Sequence, residues 1–340
     1  MKRPAVFVKA FAILALAAGM AASAHAAEVG KVALAKQYGI GSLTFIVMEQ
    51  QKLYEKALAA ENIGHPVSVE WVKFTGGAMM NDAILSGNLS FALAGVGPLA
   101  TMWAKTRGNL DVMGVCAANS MPMLLNTRNP RVKTLADFTD KDRIALPGVK
   151  VSVQAILLEM AAARTFGEAE FAKLDPLTVT LSHADGMVEL LSPSAPVDSH
   201  FTSPPYTYLE LEHPGIHTVL NSYQILGGPG TLNVVYTTSK FRSDNPRVYA
   251  AFLKAFKEAT EFINQHKDQA ADIYLEISKD KSVTKAQLLQ ILDNPDIRFT
   301  MTPERTMEVV AFMHKTGRLK AAPGTWKEMF FPEIHGLPGS

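Results

Sequence analysis

Two short runs of small residues have the composition of a site that binds an anion or a polar group. The first is Phe74-Thr75-Gly76-Gly77 and the second is Gly95-Val96-Gly97-Pro98, and each follows a strand-like run. A helix is predicted to begin directly after each run. Such a junction exposes backbone N–H groups at the helix start, where an anion or a polar ligand group is held. If the two strands are parallel neighbours, both junctions lie at one edge of a sheet, where open α/β sheets bind ligands.

The chain lacks the residue patterns that carry enzyme chemistry. It contains no G-x-S-x-G elbow, no phosphate-binding G-x-x-x-x-G-K loop, no H-E-x-x-H pair and no cysteine cluster. His213 and His217 are four residues apart, but the intervening Pro214-Gly215 prevents a shared helical face, so no zinc site is predicted. Cys116 lies in an apolar run and is interpreted as a buried side chain rather than a reactive thiol. We predict no catalytic residue, no metal and no cofactor, with a secreted hydrolase as the alternative.

The N-terminus has the pattern of an export signal. Three basic residues flank the start of a short apolar run over residues 11–20, and Ala24-His25-Ala26 is a cleavage pattern. We therefore predict a signal peptide over residues 1–26, cleaved after Ala26, and a periplasmic location. The apolar run is shorter than the roughly 20 residues of a membrane-spanning helix, so an uncleaved anchor is the weaker alternative.

The charge balance does not favour a nucleic-acid or membrane partner. The chain has 33 basic and 32 acidic residues, and removing residues 1–26 takes away three basic and no acidic ones, which leaves a net charge of −2. No long basic run is present either. An exported chain with one cysteine has no internal disulfide, so its core must be large enough to fold without one.

Alternating strand-like and helix-like runs predict two α/β units. The first series has four strands, near residues 30–37, 67–73, 89–93 and 111–118. The second series repeats this order, near residues 143–146, 177–181, 197–201 and 216–220. A long helix is predicted over residues 44–61, and one more strand near 233–239 precedes a helical C-terminal region.

The most economical placement of the C-terminal helices is against the first series, which makes the first unit discontinuous. The chain then crosses between the units twice, near residues 118–121 and 223–228. Each lobe is predicted to be a mainly parallel sheet flanked by helices, with a cleft between the lobes that closes on a ligand. The predicted domains are lobe 1, residues 27–118 plus 227–340, and lobe 2, residues 119–226.

These loops, in this order, resemble the nitrate/sulfonate/taurine group of periplasmic substrate-binding proteins of ABC importers. The resemblance is carried by the two small-residue runs, by Asn81-Asp82-Ala83-Ile84-Leu85-Ser86-Gly87, and by Lys133-Thr134-Leu135-Ala136-Asp137-Phe138 followed by Asp142-Arg143-Ile144-Ala145-Leu146-Pro147. It implies the type II two-lobed periplasmic binding protein fold with two crossovers, a small-molecule ligand in the cleft and no catalysis. It also implies delivery of that ligand to an inner-membrane ABC permease by a protein that is not inserted in the membrane, and we expect a monomer.

The resemblance implies fifteen ligand-binding residues, taken loop by loop. They are Tyr38, Gly41, Ser42, Thr75, Gly76, Gly77, Gly95, Val96, Gly97, Asn119, Gln154, His183, Asp185, Thr202 and Ser203. Asn119 and the residues after it are assigned to the second lobe. His200 lies inside a predicted strand and is interpreted as a core histidine rather than a ligand group.

The charge of the ligand stays open. None of the binding loops carries Arg or Lys, so an anion would be held by N–H groups, hydroxyls and a protonated His183. We predict a small polar or anionic organic molecule of the sulfonate, taurine or nitrate kind. A neutral heterocycle such as a thiamine pyrimidine precursor, or an aromatic carboxylate, is the alternative, because Tyr38, Phe74 and Phe201 could stack on a ring.

Overall fold

The computed structural model describes residues 27–340, so the predicted signal peptide lies outside the described residues. The strands within this range are β1 (Lys31–Lys36), β2 (Ser68–Lys73), β3 (Phe91–Gly95), β4 (Val112–Ser120), β5 (Leu124–Thr127), β6 (Ile144–Leu146), β7 (Thr178–Thr180), β8 (Ser199–Thr202), β9 (His217–Asn221), β10 (Thr231–Thr238) and β11 (Arg298–Phe299). The helices are α1 (Leu43–Gln51), α2 (Leu53–Ala60), α3 (Gly77–Leu85), α4 (Val96–Thr106), α5 (Val153–Phe166), α6 (His183–Leu191), α7 (Tyr206–Leu211), α8 (Ser222–Leu226), α9 (Ser239–Asp244), α10 (Pro246–Gln265), α11 (Lys267–Ser278), α12 (Lys285–Asp293) and α13 (Thr306–Lys315).

The strands form two separate sheets. The first sheet has the order β11-β4-β10-β3-β1-β2, and the second has the order β7-β6-β8-β5-β9. Strand β1 is parallel to both β2 and β3, and β6 is parallel to both β7 and β8. The predicted α/β class with two sheets is confirmed.

Each sheet also contains a strand that runs against its parallel core. Strand β10 is antiparallel to β3 and β4, and β5 is antiparallel to β8 and β9. These are the strands that directly follow a passage of the chain from one sheet to the other. Both sheets are therefore mixed. The predicted binding loops follow the carboxyl ends of the parallel strands.

The chain passes between the sheets twice. Strand β4 ends at Ser120 in the first sheet, and β5 begins at Leu124 in the second. The return runs from β9 through α8 and residues 227–230 into β10. Asn119 was assigned to the second lobe, but the structure places it in β4, within the first sheet. How far each lobe extends stays a prediction.

One local prediction was wrong and one strand was missed. The helix expected over residues 44–61 is interrupted at Lys52, whose φ of 53° is left-handed, so α1 ends there and α2 begins. Strand β5 was not predicted, because its four residues are all buried and give no alternating pattern.

The core of the first sheet is aromatic. Phe252 of α10 stacks on Phe91 of β3, with ring centroids 4.0 Å apart, and Phe45 of α1 meets Phe252 and Phe256 edge to face. Through these contacts the long helix α10 packs against the first sheet. Cys116 is fully buried in β4, and burial raises the pKa of its thiol, as expected for an unreactive side chain.

Candidate ligand site between the two sheets

Loops from both sheets meet around a small cavity, here called the cleft cavity. Its lining residues are Gln37, Tyr38, Gly41, Gly77, Gly95, Pro98, Pro147, Ser152, Val153, Gln154, His183, Ser203, Leu232 and Asn233. The cavity volume is about 20 Å³, which is room for about one water molecule. The structure therefore shows the cleft in a closed arrangement.

The small-residue junctions lie where the sequence predicted them. Helix α3 begins at Gly77 shortly after β2 ends, and α4 begins at Val96 directly after β3. Strands β2 and β3 are not neighbours, since β1 lies between them, but all three are parallel and their ends share one edge. Neither helix start is capped by a side chain, so its first N–H groups face this edge without an internal side-chain acceptor.

Two glycines that are expected to touch a ligand lie against the opposite loop. A Cβ atom built on Gly76 would lie 2.3 Å from the Pro147 carbonyl oxygen, and one on Gly97 would lie 2.7 Å from the Val151 carbonyl oxygen. These distances are too short for any side chain. The backbones of Gly76 and Gly97 thus lie against backbone of the second sheet's loops, and their contact with a ligand stays a prediction.

The structure brings about half of the predicted residues to the cleft cavity. Those that line it are Tyr38, Gly41, Gly77, Gly95, Gln154, His183 and Ser203. Those that do not line it are Ser42, Thr75, Gly76, Val96, Gly97, Asn119, Asp185 and Thr202.

Three of the residues outside the lining hold lining residues in position. The Ser42 hydroxyl accepts a hydrogen bond from the Gln37 backbone N–H at 3.0 Å. The Asn119 amide donates to the Gly41 carbonyl at 2.8 Å, and Thr202 Oγ1 lies 2.7 Å from His183 Nδ1. Their hydrogen-bonding groups are thus engaged within the protein, which explains why they support the cavity wall rather than form it.

The other residues are placed away from the cavity by the local chain. Asp185 is exposed and accepts a hydrogen bond from the Ser182 hydroxyl at 2.5 Å, at the start of α6. Thr75 is half-buried in the turn before α3, and Val96 packs in the hydrophobic core. Loop membership alone could not separate these residues from their cavity-lining neighbours.

His183 lines the cavity as a neutral side chain. Burial, and then the nearby His200, lowers the pKa of His183 to about 3. Its ring also stacks on Tyr206, with centroids 6.1 Å apart and planes 11° apart. The prediction that a protonated His183 helps to hold an anion is therefore wrong, because the charged form is disfavoured by its burial.

Gln154 places a side-chain amide in the cavity lining. It lies in the first turn of α5 and is 2 % exposed. Buried amides form hydrogen bonds with protein, water or a ligand, so this group is a candidate ligand contact. Asn233, by contrast, already donates to the Gly41 carbonyl at 3.2 Å.

Seven lining residues were missed by the sequence prediction. They are Gln37, Pro98, Pro147, Ser152, Val153, Leu232 and Asn233. Asn233 carried a usable signal, since it is a polar residue inside an apolar strand. Its place in the site depends on β10 lying beside β3, and no local pattern shows that pairing.

His200 is a core histidine, as the sequence indicated. It is fully buried, and its Nδ1 lies 2.5 Å from Glu210 Oε1. The other Glu210 oxygen accepts from the Asn126 amide at 2.9 Å. This buried polar network lies beneath His183 and fixes the floor of the second sheet's loops.

Residues 27–340 contain neither a metal-binding cluster nor a membrane-spanning helix. No group of three or more His, Cys, Asp and Glu side chains there is arranged to hold a metal ion. Within the same residues, no helix combines the length and the apolar composition needed to cross a bilayer.

In comparisons with known proteins, no family model and no curated protein matches the chain. Solved structures do match it. The alkanesulfonate-binding protein SsuA from Xanthomonas axonopodis pv. citri, bound to MOPS, superposes with a TM-score of 0.68 at 15% identity, covering 87% of this chain and 96% of that one. The periplasmic nitrate-binding protein NrtA from Synechocystis PCC 6803 gives a TM-score of 0.67 at 16% identity, covering 88% and 84%.

A second sulfonate-binding protein extends the match. The periplasmic aliphatic sulphonate binding protein SsuA from Escherichia coli gives a TM-score of 0.63 at 17% identity, covering 89% of this chain and 98% of that one. At such identities the likeness is one of fold, and it extends over nearly the whole length of these structures. The chain therefore has the periplasmic binding protein fold that these sulfonate- and nitrate-binding proteins share.

Proposed function

We propose that this protein is the periplasmic solute-binding component of an ABC importer. The observation that carries the proposal is the cleft cavity, where loops from two sheets converge and the Gln154 amide forms part of the lining. Cavities at the carboxyl ends of parallel strands are the usual ligand sites of α/β sheets. The lobes proposed to close around the solute are residues 27–118 plus 227–340 and residues 119–226, with Asn119 and Ser120 at the crossover still belonging to the first sheet.

Closure follows from contacts made only in the shut state. Gly76 and Gly97 let the loops around Pro147 and Val151 approach to backbone contact. A solute that hydrogen-bonds to both lobes gains those bonds only when they are together, so it shifts the population toward the closed form. The two passages of chain between the sheets are the segments proposed to bend.

The solute is proposed to be a small polar or anionic organic molecule, of the sulfonate, taurine or nitrate kind. The solved structures named above support this class, because their titles describe sulfonate- and nitrate-binding proteins. The neutral His183 favours the second candidate, a neutral heterocycle such as a thiamine pyrimidine precursor, because the cleft cavity itself then offers only dipoles. An aromatic carboxylate is a further option, with Tyr38 in the lining as a stacking surface.

The rest of the role follows from this proposal. The protein is exported after cleavage behind Ala26, acts as a monomer in the periplasm and hands its solute to an inner-membrane permease. It carries out no catalysis and needs no cofactor, nucleic acid or membrane insertion for this task.

A thermal-shift panel tests the proposal. The purified protein is heated with methanesulfonate, taurine, nitrate, benzoate and an aminopyrimidine, since a ligand at 100 times its Kd stabilises the folded state by about 2.7 kcal/mol. The best compound is then titrated into Gln154→Ala, where loss of a hydrogen bond is expected to weaken binding about five- to tenfold.

The matched control is Gln290→Ala, since Gln290 is an exposed helical glutamine outside the cavity lining. It is expected to bind like the unsubstituted protein. Equal affinity of both variants would reject the cleft cavity as the solute site, and turnover of a panel compound would support an enzyme instead.

A further inference from the structure

A second and larger cavity lies beside the cleft cavity, and we call it the lysine cavity. Its volume is about 340 Å³, whereas the volume of the cleft cavity is about 20 Å³. Gln37 and Tyr38 line both cavities and therefore form their common wall. Ala184 and Tyr206 close the lysine cavity from the second sheet's side, so it too lies between the two sheets.

The charged residues of this lining are unbalanced. Four are lysines, Lys36, Lys73, Lys279 and Lys281, and one is an aspartate, Asp280. Asp280 accepts hydrogen bonds from the Tyr206 and Tyr274 hydroxyls at 3.3 and 3.2 Å. The lining therefore presents an excess of positive charge to the cavity.

Two of these lysines are forced together by the sheet. Lys36 and Lys73 are the last residues of β1 and β2 and are direct partners in the parallel register, so their side chains leave the same face. Lys36 is buried and bonds to Glu49. Lys73 makes no ion pair with another residue in 27–340, and its ammonium lies 4.6 Å from the Tyr38 ring centroid.

The proximity of these two ammonium groups creates a repulsion that a bound anion would relieve. Like charges on adjacent strands repel each other, and a buried ammonium loses hydration. Burial, and then the charge of Lys73, lowers the pKa of Lys36 to about 8. Glu49 offsets part of this charge, but the repulsion between the two lysines remains because Lys73 has no such partner.

The remaining walls are suited to an apolar body. Ile46 and Ile277 line the cavity together with the rings of Tyr38, Tyr206 and Tyr274. An aromatic or aliphatic group would find apolar contact there, while its charged head lies against the lysines. The cleft cavity, by comparison, has no space for such a body in the closed arrangement.

We infer that the solute is an organic anion whose carboxylate or sulfonate head binds at Lys36 and Lys73 and whose body fills the lysine cavity. The inference rests on the proposed function, which it makes more specific by fixing the charge of the solute. The polar end that reaches past Tyr38 into the cleft cavity is the part that Gln154 contacts. A neutral heterocycle is thereby disfavoured as the solute.

Calorimetric titration with a charge-matched pair of probes tests this inference. Benzenesulfonate and the uncharged benzenesulfonamide have the same ring and nearly the same size. The purified protein is expected to bind the sulfonate at least tenfold more tightly than the sulfonamide, since charge-assisted hydrogen bonds are about twice as strong as neutral ones. Trp71, whose ring centroid is 5.6 Å from Lys36 Nζ, provides a fluorescence signal for the same event.

Substitution of the exposed lysine shows whether the charge acts in the lysine cavity. Lys73→Gln is expected to weaken benzenesulfonate binding about tenfold, and Lys73→Arg to retain affinity because it keeps the charge. Lys254→Gln is the control, since Lys254 is exposed on α10 and does not line the cavity. Equal binding of the two probes, unchanged affinity in Lys73→Gln, or no sulfonate binding at millimolar concentration would each overturn the inference.

The same variants separate this inference from the proposed function. If a solute depends on Gln154 but not on Lys73, the cleft is the solute site and the lysine cavity is not. If benzenesulfonate depends on Lys73 but not on Gln154, the anion site stands and the assignment of the cleft cavity is wrong.

Discussion

The two sheets present different helix starts to the same cleft. On the first sheet's side, α3 and α4 follow Gly76 and Gly95 and have no side-chain cap. On the second sheet's side, α5 and α6 are capped by Ser152 and Ser182, whose hydroxyls accept the N–H groups of Ala155 and Asp185. The uncapped helix starts of the first sheet's side therefore allow the opposite backbone to approach closely. The serine caps of the second sheet's side fix the geometry of the first helical turn.

The difference assigns separate tasks to the two sides. Glycine at a helix start leaves N–H groups free and removes the side chain that would keep the opposite loop away. Serine satisfies one N–H group and holds the first turn in place. The first side thus permits closure, while the second side supplies the ordered groups, Gln154 and His183, that line the closed cavity.

The largest effect is expected from blocking the approach on the glycine side. Gly76→Val puts a branched side chain where a Cβ alone would be 2.3 Å from the Pro147 oxygen, so the lobes cannot close fully. We expect solute affinity to fall by more than about a hundredfold, which is about 2.7 kcal/mol. Calorimetry and the radius of gyration from X-ray scattering measure the two consequences.

Gly30→Ala is the control for this substitution, because no atom lies within 4 Å of a Cβ built on Gly30. It is expected to bind and to scatter like the unsubstituted protein. A Gly76→Val protein that still binds tightly and stays as small as the unsubstituted one would show that the glycine contact is dispensable for closure.

A smaller effect is expected from the titratable group on the serine side. The folded-state pKa of His183 is about 3, below the ordinary histidine value of 6.5, so the unfolded state binds more protons between these values. The stability contribution is complete above pH 6.5 and is lost as pH falls, by about 2 kcal/mol between pH 6.5 and 5. His183→Asn should lose less stability over this interval than the unsubstituted protein.

Urea unfolding at several pH values measures this difference. The exposed His213 supplies the control, and His213→Asn is expected to follow the unsubstituted protein. Parallel pH profiles for all three proteins would mean that His183 is not held neutral by its surroundings.

The smallest effect is expected from removing the serine caps, and it distinguishes loss of a helix cap from loss of a ligand contact. Ser152→Ala and Ser182→Ala each remove a helix cap and are expected to lower the free energy of unfolding by about 1 kcal/mol. Ser152 lines the cleft cavity and Ser182 does not, so only Ser152→Ala should also change solute affinity. Equal affinity changes in both variants would instead point to a general loosening of the second sheet's loops.

Local patterns were sufficient where the signal lies within a few residues. The glycine runs, for example, indicated the starts of α3 and α4. They were insufficient where neighbouring residues share a loop but point apart. Asp185 and His183 illustrate this, since the first is exposed and the second is buried in the cavity wall.

The sequence prediction also did not include the positive charge of the lysine cavity. The binding loops contain no lysine, but Lys36 and Lys73 end the strands just before two of them. Each lysine alone is an ordinary strand-end residue. Only the parallel register of β1 and β2 places them side by side on one face.

By itself, the sequence determined the alternation of strands and helices, the two-sheet α/β class and the junctions that carry the site, because periodicity and small-residue stops are local properties of the chain. The tertiary structure decided which junction residues line the cleft cavity, the neutral state of His183 and the pairing of two lysines beside a cavity. These depend on burial, on strand register and on the approach of loops that are far apart in the chain.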